Sequence, residues 1–219
     1  MKFSGLAAAA VLALAAAPAL AQPTADARGP IFHNALVDLS PASNAPLMVT
    51  TPAWAYGGDI PYENTLYRGN HFPGLSWTPG PAGTKSYAVI MQDTGHAATV
   101  LHKPPILHWS IYNIPASVTA LPADMQPTAN PPGSSYGPNM KGAAQPYMGP
   151  RPPPGSRRVY HLQVFALDTV IATDPGASLD ALLGAMKGHV LASGEVTGLG
   201  SFDPTAKPWQ PPAHPNDDL

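Results

Sequence analysis

The sequence predicts a mainly β protein, and three observations carry that reading. Three stretches, Tyr87 to Asp93, Ile106 to Ile114 and Arg158 to Leu167, place apolar or aromatic residues at a period of two. One segment of the chain has a convincing helical period. Finally, 29 prolines and 20 glycines in 219 residues punctuate the chain at short intervals, while 44% hydrophobic residues argue for a folded body between the turns.

At the start, Met1-Lys2 leads into an Ala- and Leu-rich run, and Ala19-Leu20-Ala21 has the small-x-small form of a signal peptidase site. Residues 1 to 21 are expected to be a secretory signal, cleaved after Ala21, which implies a secreted, periplasmic protein. The uncharged run from Phe3 ends at that cleavage motif and Pro23, so no stable membrane insertion is expected. The remainder, residues 22 to 202, has the length of one domain. There is no cysteine, hence neither a disulfide framework nor a thiolate metal site. A net charge of −2, with 11% charged residues, offers no basic face for nucleic acid.

Gln22 to Pro30 is expected to be a flexible lead-in, and Ile31 to Leu39 a first strand closed by Pro41 and Pro46. Trp54 to Asn70 is aromatic and Gly-rich without a period, a loop with short extended pieces. Gly74 to Trp77 is a short strand before the Pro79-Gly80 turn. Tyr87, Val89, Met91 and Asp93 share one face of the first strong strand, leaving a carboxylate at the end of an apolar row. In the second, His108, Ser110 and Tyr112 alternate with Leu107, Trp109 and Ile111. Asp124 to Gln145 lacks strand-forming residues and is expected to be a long loop that could lid a site. Both faces of the Arg158 to Leu167 strand are mainly apolar, which suggests a central position. Ser178 to Lys187 is the helix, with Ser178 as N-cap, Leu179, Leu182, Leu183 and Met186 as its apolar stripe and Gly188 as terminator. A last strand, His189 to Val196, precedes a Pro-rich tail, residues 203 to 219, expected to be flexible.

The chemistry concentrates in Tyr147 to Tyr160. Four prolines in the five residues from Pro150 stiffen this loop, and three of the five arginines, Arg151, Arg157 and Arg158, lie in it. A rigid, positive loop fits one wall of an anion pocket. Asp93, isolated among carboxylates, could hold a histidine or accept from an arginine, and His108 is a second candidate. His96, His102 and His108 are interrupted by Pro104-Pro105 and lack metal-ligand spacing, so no metal and no cofactor are expected. No G-x-S-x-G elbow is present.

Pro81-Ala82-Gly83-Thr84-Lys85-Ser86-Tyr87, Asp93, His108-Trp109-Ser110-Ile111-Tyr112-Asn113-Ile114-Pro115-Ala116 and Leu121-Pro122, followed by Tyr147-x-Gly149-Pro150-x-Pro152-Pro153, Gly155, Tyr160 and Phe165-Ala166-Leu167-Asp168, resemble the two signatures of the phosphatidylethanolamine-binding protein family. His189-Val190-Leu191-Ala192 resembles its bacterial Raf-kinase-inhibitor-like subgroup. The resemblance covers residues 31 to 202. It implies a large central antiparallel sheet, a second smaller sheet and a few peripheral helices. It also implies a cavity for phosphate-like anions or phospholipid head groups, whose positions here are Asp93, His108, Gly149, Pro150 and Tyr160. Two departures stand out. Asp93-Thr94-Gly95-His96-Ala97 lacks the second Asp and both prolines of the first signature, and Arg158 stands where a pocket histidine is expected. Arginine is permanently charged, so a stronger anionic preference with less pH dependence follows.

The expected function is therefore binding of a small phosphorylated or carboxylated ligand. In that reading Asp93 orients His108, Arg158 and backbone donors near Gly149 hold the anion, and Tyr160 adds a hydroxyl. The alternatives are an inhibitor or interaction protein with a protease- or kinase-like target, as some family members are, and a hydrolase using His108 and Asp93.

Overall fold

The computed structural model describes residues 33–39, 41, 46–95, 103–126, 128–174 and 176–206. Within them, the long strands β4 (Ser86–Asp93), β5 (Ile106–Pro115), β8 (Arg157–Leu167) and β9 (Val190–Ser201) form most of a six-stranded sheet. Its order is β2-β9-β8-β4-β5-β7, with the short strands β2 (Gly58–Asp59) and β7 (Ser135–Tyr136) at its edges. Every pairing is antiparallel except the brief parallel contact of β2 with β9. A smaller sheet joins β1 (Val49–Thr50), β3 (Leu75–Trp77) and β6 (Ala120–Leu121).

The period-two reading explains why the large sheet is buried on both faces. Tyr87, Val89, Met91, Tyr160, Leu162 and Val164 point into a core shared with Val49, Leu75, Trp77 and Leu121 of the small sheet. Ala88, Ile90, Phe165 and Leu167 point the other way, onto α1 (Ala35–Asp38) and α2 (Leu179–Met186). Each buried side chain of Leu or Phe size contributes roughly 1.5–3 kcal/mol by leaving water. β8 is central, and α2 begins at Ser178, whose side chain accepts from Ala181 N–H.

Four expectations need correction. Ala35–Asp38 is a short helix rather than part of a strand. Asn34 caps it, and Gln92 Oε1 and Gln163 Oε1 accept the N–H groups of Ala35 and Leu36 at 2.8 and 2.6 Å. Two buried glutamines on the sheet thus supply the acceptors that a helix start needs. Within residues 124–145, Ser135–Tyr136 pairs with Ile111–Tyr112 as the edge strand β7. The last strand runs on to Ser201, paired with β8 along its length, and its Gly194, Gly198 and Gly200 leave room for Leu47, Trp54 and Tyr160 to pack against it. Asp203 is not part of a free tail, for it is fully buried and bonded to Arg68 at 2.6 Å. The expectations for the signal segment, for His96 and His102, and for the tail beyond Ala206 fall on residues outside those described.

Strand β5 carries the most consequential departure from simple alternation. Met91 pairs with Trp109 and Gln92 with Leu107, so His108 is an extra, unpaired residue. Such a bulge lets two successive residues address one face. Trp109 therefore enters the first core while Leu107 enters the second, and His108 packs against Tyr160. A second register shift places Asn113 at φ 58°, where its amide bonds Ile171 on both backbone atoms.

Candidate functional site

The C-terminal end of β4 and the N-terminal ends of β5 and β8 meet at one end of the large sheet. Asp93 pairs directly with Tyr160 across β4 and β8, and Arg158 lies two residues before Tyr160 on the same face. These three, with Ile106 and the bulged His108, form the floor of a cavity of about 340 Å³. Leu66, Met148 and Arg151 line one side, and Met140 and Lys141 come from the turn after β7.

Asp93 is completely buried, and both carboxylate oxygens are engaged. Arg158 Nη1 donates to Oδ2 at 2.9 Å, and Gly95 N–H donates to Oδ1 at 2.7 Å. This geometry requires glycine at position 95, because a Cβ there would stand 2.6 Å from Arg158 Cα and Cβ. Arg158 itself is 17% exposed, and its Nε is buried with no hydrogen-bond partner among the described residues. An unmade bond of that kind costs about 1–3 kcal/mol.

His108 is not oriented by Asp93, contrary to expectation. Its Nδ1 lies 3.0 Å from the Met148 carbonyl, which can only accept, so Nδ1 carries the proton and Nε2 the lone pair. Burial lowers its pKa below the ordinary histidine value, opposed by the Met148 carbonyl and by the charge on Asp93. His108 is therefore neutral at pH 7, and its ring meets Tyr160 edge to face at 5.1 Å. Burial, with the Asp93 charge adding to it, raises the Tyr160 pKa, so the phenol stays protonated as a donor.

Gly149 and Pro150 stand behind the wall rather than in it. Gly149 N–H is already donated to Asn70 Oδ1 at 2.7 Å, and a Cβ at Gly149 would collide with the Asn64 carbonyl. The Pro150 carbonyl accepts from Leu66 N–H at 2.9 Å. Asn70, in the left-handed region at φ 57°, also donates to the Tyr147 carbonyl at 3.0 Å, and Tyr67 OH bonds the Pro152 carbonyl. A proline-rich segment has few donors of its own, and here the Tyr147, Pro150 and Pro152 carbonyls and the Gly149 N–H are tied to residues 64–70. Arg157 points away from the cavity and pairs with Asp59.

Sequence reasoning missed Leu66, Ile106, Met140, Lys141, Met148 and the bracing role of Asn70. Asn70 left a trace, following Gly69 as a polar residue that tolerates positive φ. The aliphatic and methionine residues left none, since isolated apolar residues in loops are ordinary.

A family model described as Phosphatidylethanolamine-binding protein matches residues 50–201, which include the whole large sheet, all of the small sheet but Val49, and every residue lining this cavity. The chain belongs to the phosphatidylethanolamine-binding protein family. Within it, the chain is 39% identical over 150 residues to a UPF0098 protein of Methanothermobacter thermautotrophicus, spanning 68% of this chain and 95% of that one. The crystal structure of Escherichia coli YbcL, itself described as a member of the mammalian phosphatidylethanolamine-binding protein family, superposes with a TM-score of 0.64 at 31% identity. That match covers 73% of this chain and all of YbcL. CT736, a phosphatidylethanolamine-binding protein homologue from Chlamydia trachomatis, gives the same TM-score at 28% identity, covering 72% and 99% of the two chains. Among the described residues, no helix is long and apolar enough to cross a membrane and no group of His, Asp and Glu is placed to hold a metal.

Proposed function

We propose that this member of the family is a binding protein for small organic anions of the phosphate class, and that the cavity at the end of the large sheet is its ligand site. One observation carries the reading. Arg158, Arg151 and Lys141 border the cavity, its lone carboxylate is already paired with Arg158, and its histidine is held neutral. The result is a half-enclosed space with two uncompensated positive charges and a protonated phenol, partly screened from water. Such a site favours a phosphoryl group, which accepts several hydrogen bonds and the fork of an arginine.

Isothermal titration calorimetry of the intact chain with phenyl phosphate tests this. Arg151→Ala and Lys141→Ala, which leave the buried Asp93 pair intact, should each weaken binding several-fold, and Arg158→Ala more. Unchanged affinity in all three variants would remove the reading. We also propose that the protein is exported, on the strength of the Ala-rich N-terminal segment and its Ala19-Leu20-Ala21 motif. Recovery of a full-length, uncleaved chain from the cytoplasmic fraction would count against export.

A further inference from the structure

We propose that the cavity selects wholly anionic phosphomonoesters bearing an apolar arm and rejects zwitterionic ones such as phosphoethanolamine. The inference rests on the phosphate-site reading above and concerns what is attached to the phosphate.

The charged lining is one-sided. An ammonium group needs an accessible, uncompensated carboxylate, yet Asp93 is wholly buried and already paired with Arg158 and the Gly95 N–H. An ammonium entering beside the phosphate would meet Arg151 and Lys141 at the walls and find no anionic partner there. Like charges held together in a poorly hydrated site are strongly unfavourable. A phosphomonoester carries close to two negative charges at neutral pH, which matches the two positive charges that Asp93 leaves uncompensated.

The uncharged lining supplies the second half of the specificity. Leu66, Ile106, Met140 and Met148 present apolar surface to the same space. At about 340 Å³ the cavity lies within the size range of organic-ligand pockets, roughly 300–1,000 Å³, and has room for more than a bare phosphate. Met148 is buried and fixed behind the bonded Gly149 wall, whereas Met140 is largely exposed at the rim, where a flexible thioether side chain can fit arms of differing shape.

The test is calorimetry on the intact chain with butyl phosphate, inorganic phosphate and phosphoethanolamine as probes. Butyl phosphate should bind tightest, about tenfold or more above phosphoethanolamine. Equal or tighter binding of phosphoethanolamine, with butyl phosphate still bound, would overturn the selectivity while leaving the phosphate site standing. Binding of none of the three would overturn both. A Lys141→Glu variant, altered at an exposed turn, should shrink the preference for butyl phosphate over phosphoethanolamine, and an unchanged ratio would contradict the charge argument. Vesicles of phosphatidylcholine carrying phosphatidate or phosphatidylethanolamine separate a lipid source from a soluble one. Selectivity predicts retention by phosphatidate alone if the source is a lipid, and by neither if it is soluble. Retention by phosphatidylethanolamine vesicles alone would overturn the proposal.

Discussion

Asp93 and Arg158 form a pair in which the carboxylate is wholly buried. Removing the guanidinium leaves a fully buried carboxylate without its cation, so Arg158→Ala should cost about 3–5 kcal/mol in chemical denaturation, and Asp93→Asn in the same background should recover part of it. Gly95→Ala should cost about 1–3 kcal/mol, because the backbone of Arg158 cannot yield to the added methyl. His108 sets a pH dependence. Its folded pKa is depressed by burial, so the unfolded chain binds the proton more readily. Stability is then full above the ordinary histidine pKa, about 6.5, and falls as pH drops from there toward the folded value. A His108→Gln variant, which can still donate to the Met148 carbonyl, should show a flatter stability profile over that window, and an identical profile would contradict the assignment. At this scale the sequence reveals residue types better than partners. Asp93, His108, Arg158 and Tyr160 could be singled out and do come together, but the bond from Asp93 goes to Arg158 and that of His108 to a carbonyl. Such choices depend on where a bulge and a loop place each atom, and neither leaves a periodic mark.

The elements around the cavity are held by bonds between loops that differ widely in sequence position. Asn70 joins residues 147 and 149 through both ends of its amide. Asn70→Ala should therefore cost about 1–3 kcal/mol and weaken phosphomonoester binding without touching the cavity lining. Farther along, Arg68 fastens the end of β9 through Asp203, whose pKa its hydrogen bond lowers to about 2. That contribution is present above the ordinary carboxylate range and is lost as pH falls through about 2. Asp203→Asn should lower the steepness of acid unfolding, with the effect reduced by salt because Arg68 is half exposed. The long strands and α2 were legible because their apolar period is set by burial on both faces. The short helix α1 was not, since its start depends on Gln92 and Gln163, more than fifty residues away in sequence. The bulge at His108 was hidden for a similar reason, as a single inserted residue breaks a period-two pattern only once.

At the scale of the whole molecule, two apolar cores on opposite faces stabilise the large sheet, and the proposed ligand cavity sits at one end of it, where strands stop and loops begin. Mechanical support and chemical specificity are thereby separated, and loop residues such as Lys141, Arg151 and Leu66 can vary without disturbing the cores. A second cavity is lined by His71, Asp124 and Tyr147, with Pro146 beside them. It offers an aromatic wall and a paired histidine, but its lining holds no lysine or arginine. An anion should therefore enter the first cavity and not the second. Titration with butyl phosphate, followed by nuclear magnetic resonance of the histidine rings, distinguishes the two places. The His108 signal should shift and saturate with the ligand while those of His71, His161 and His189 stay in place. A shift confined to His71, with His108 unmoved, would contradict it.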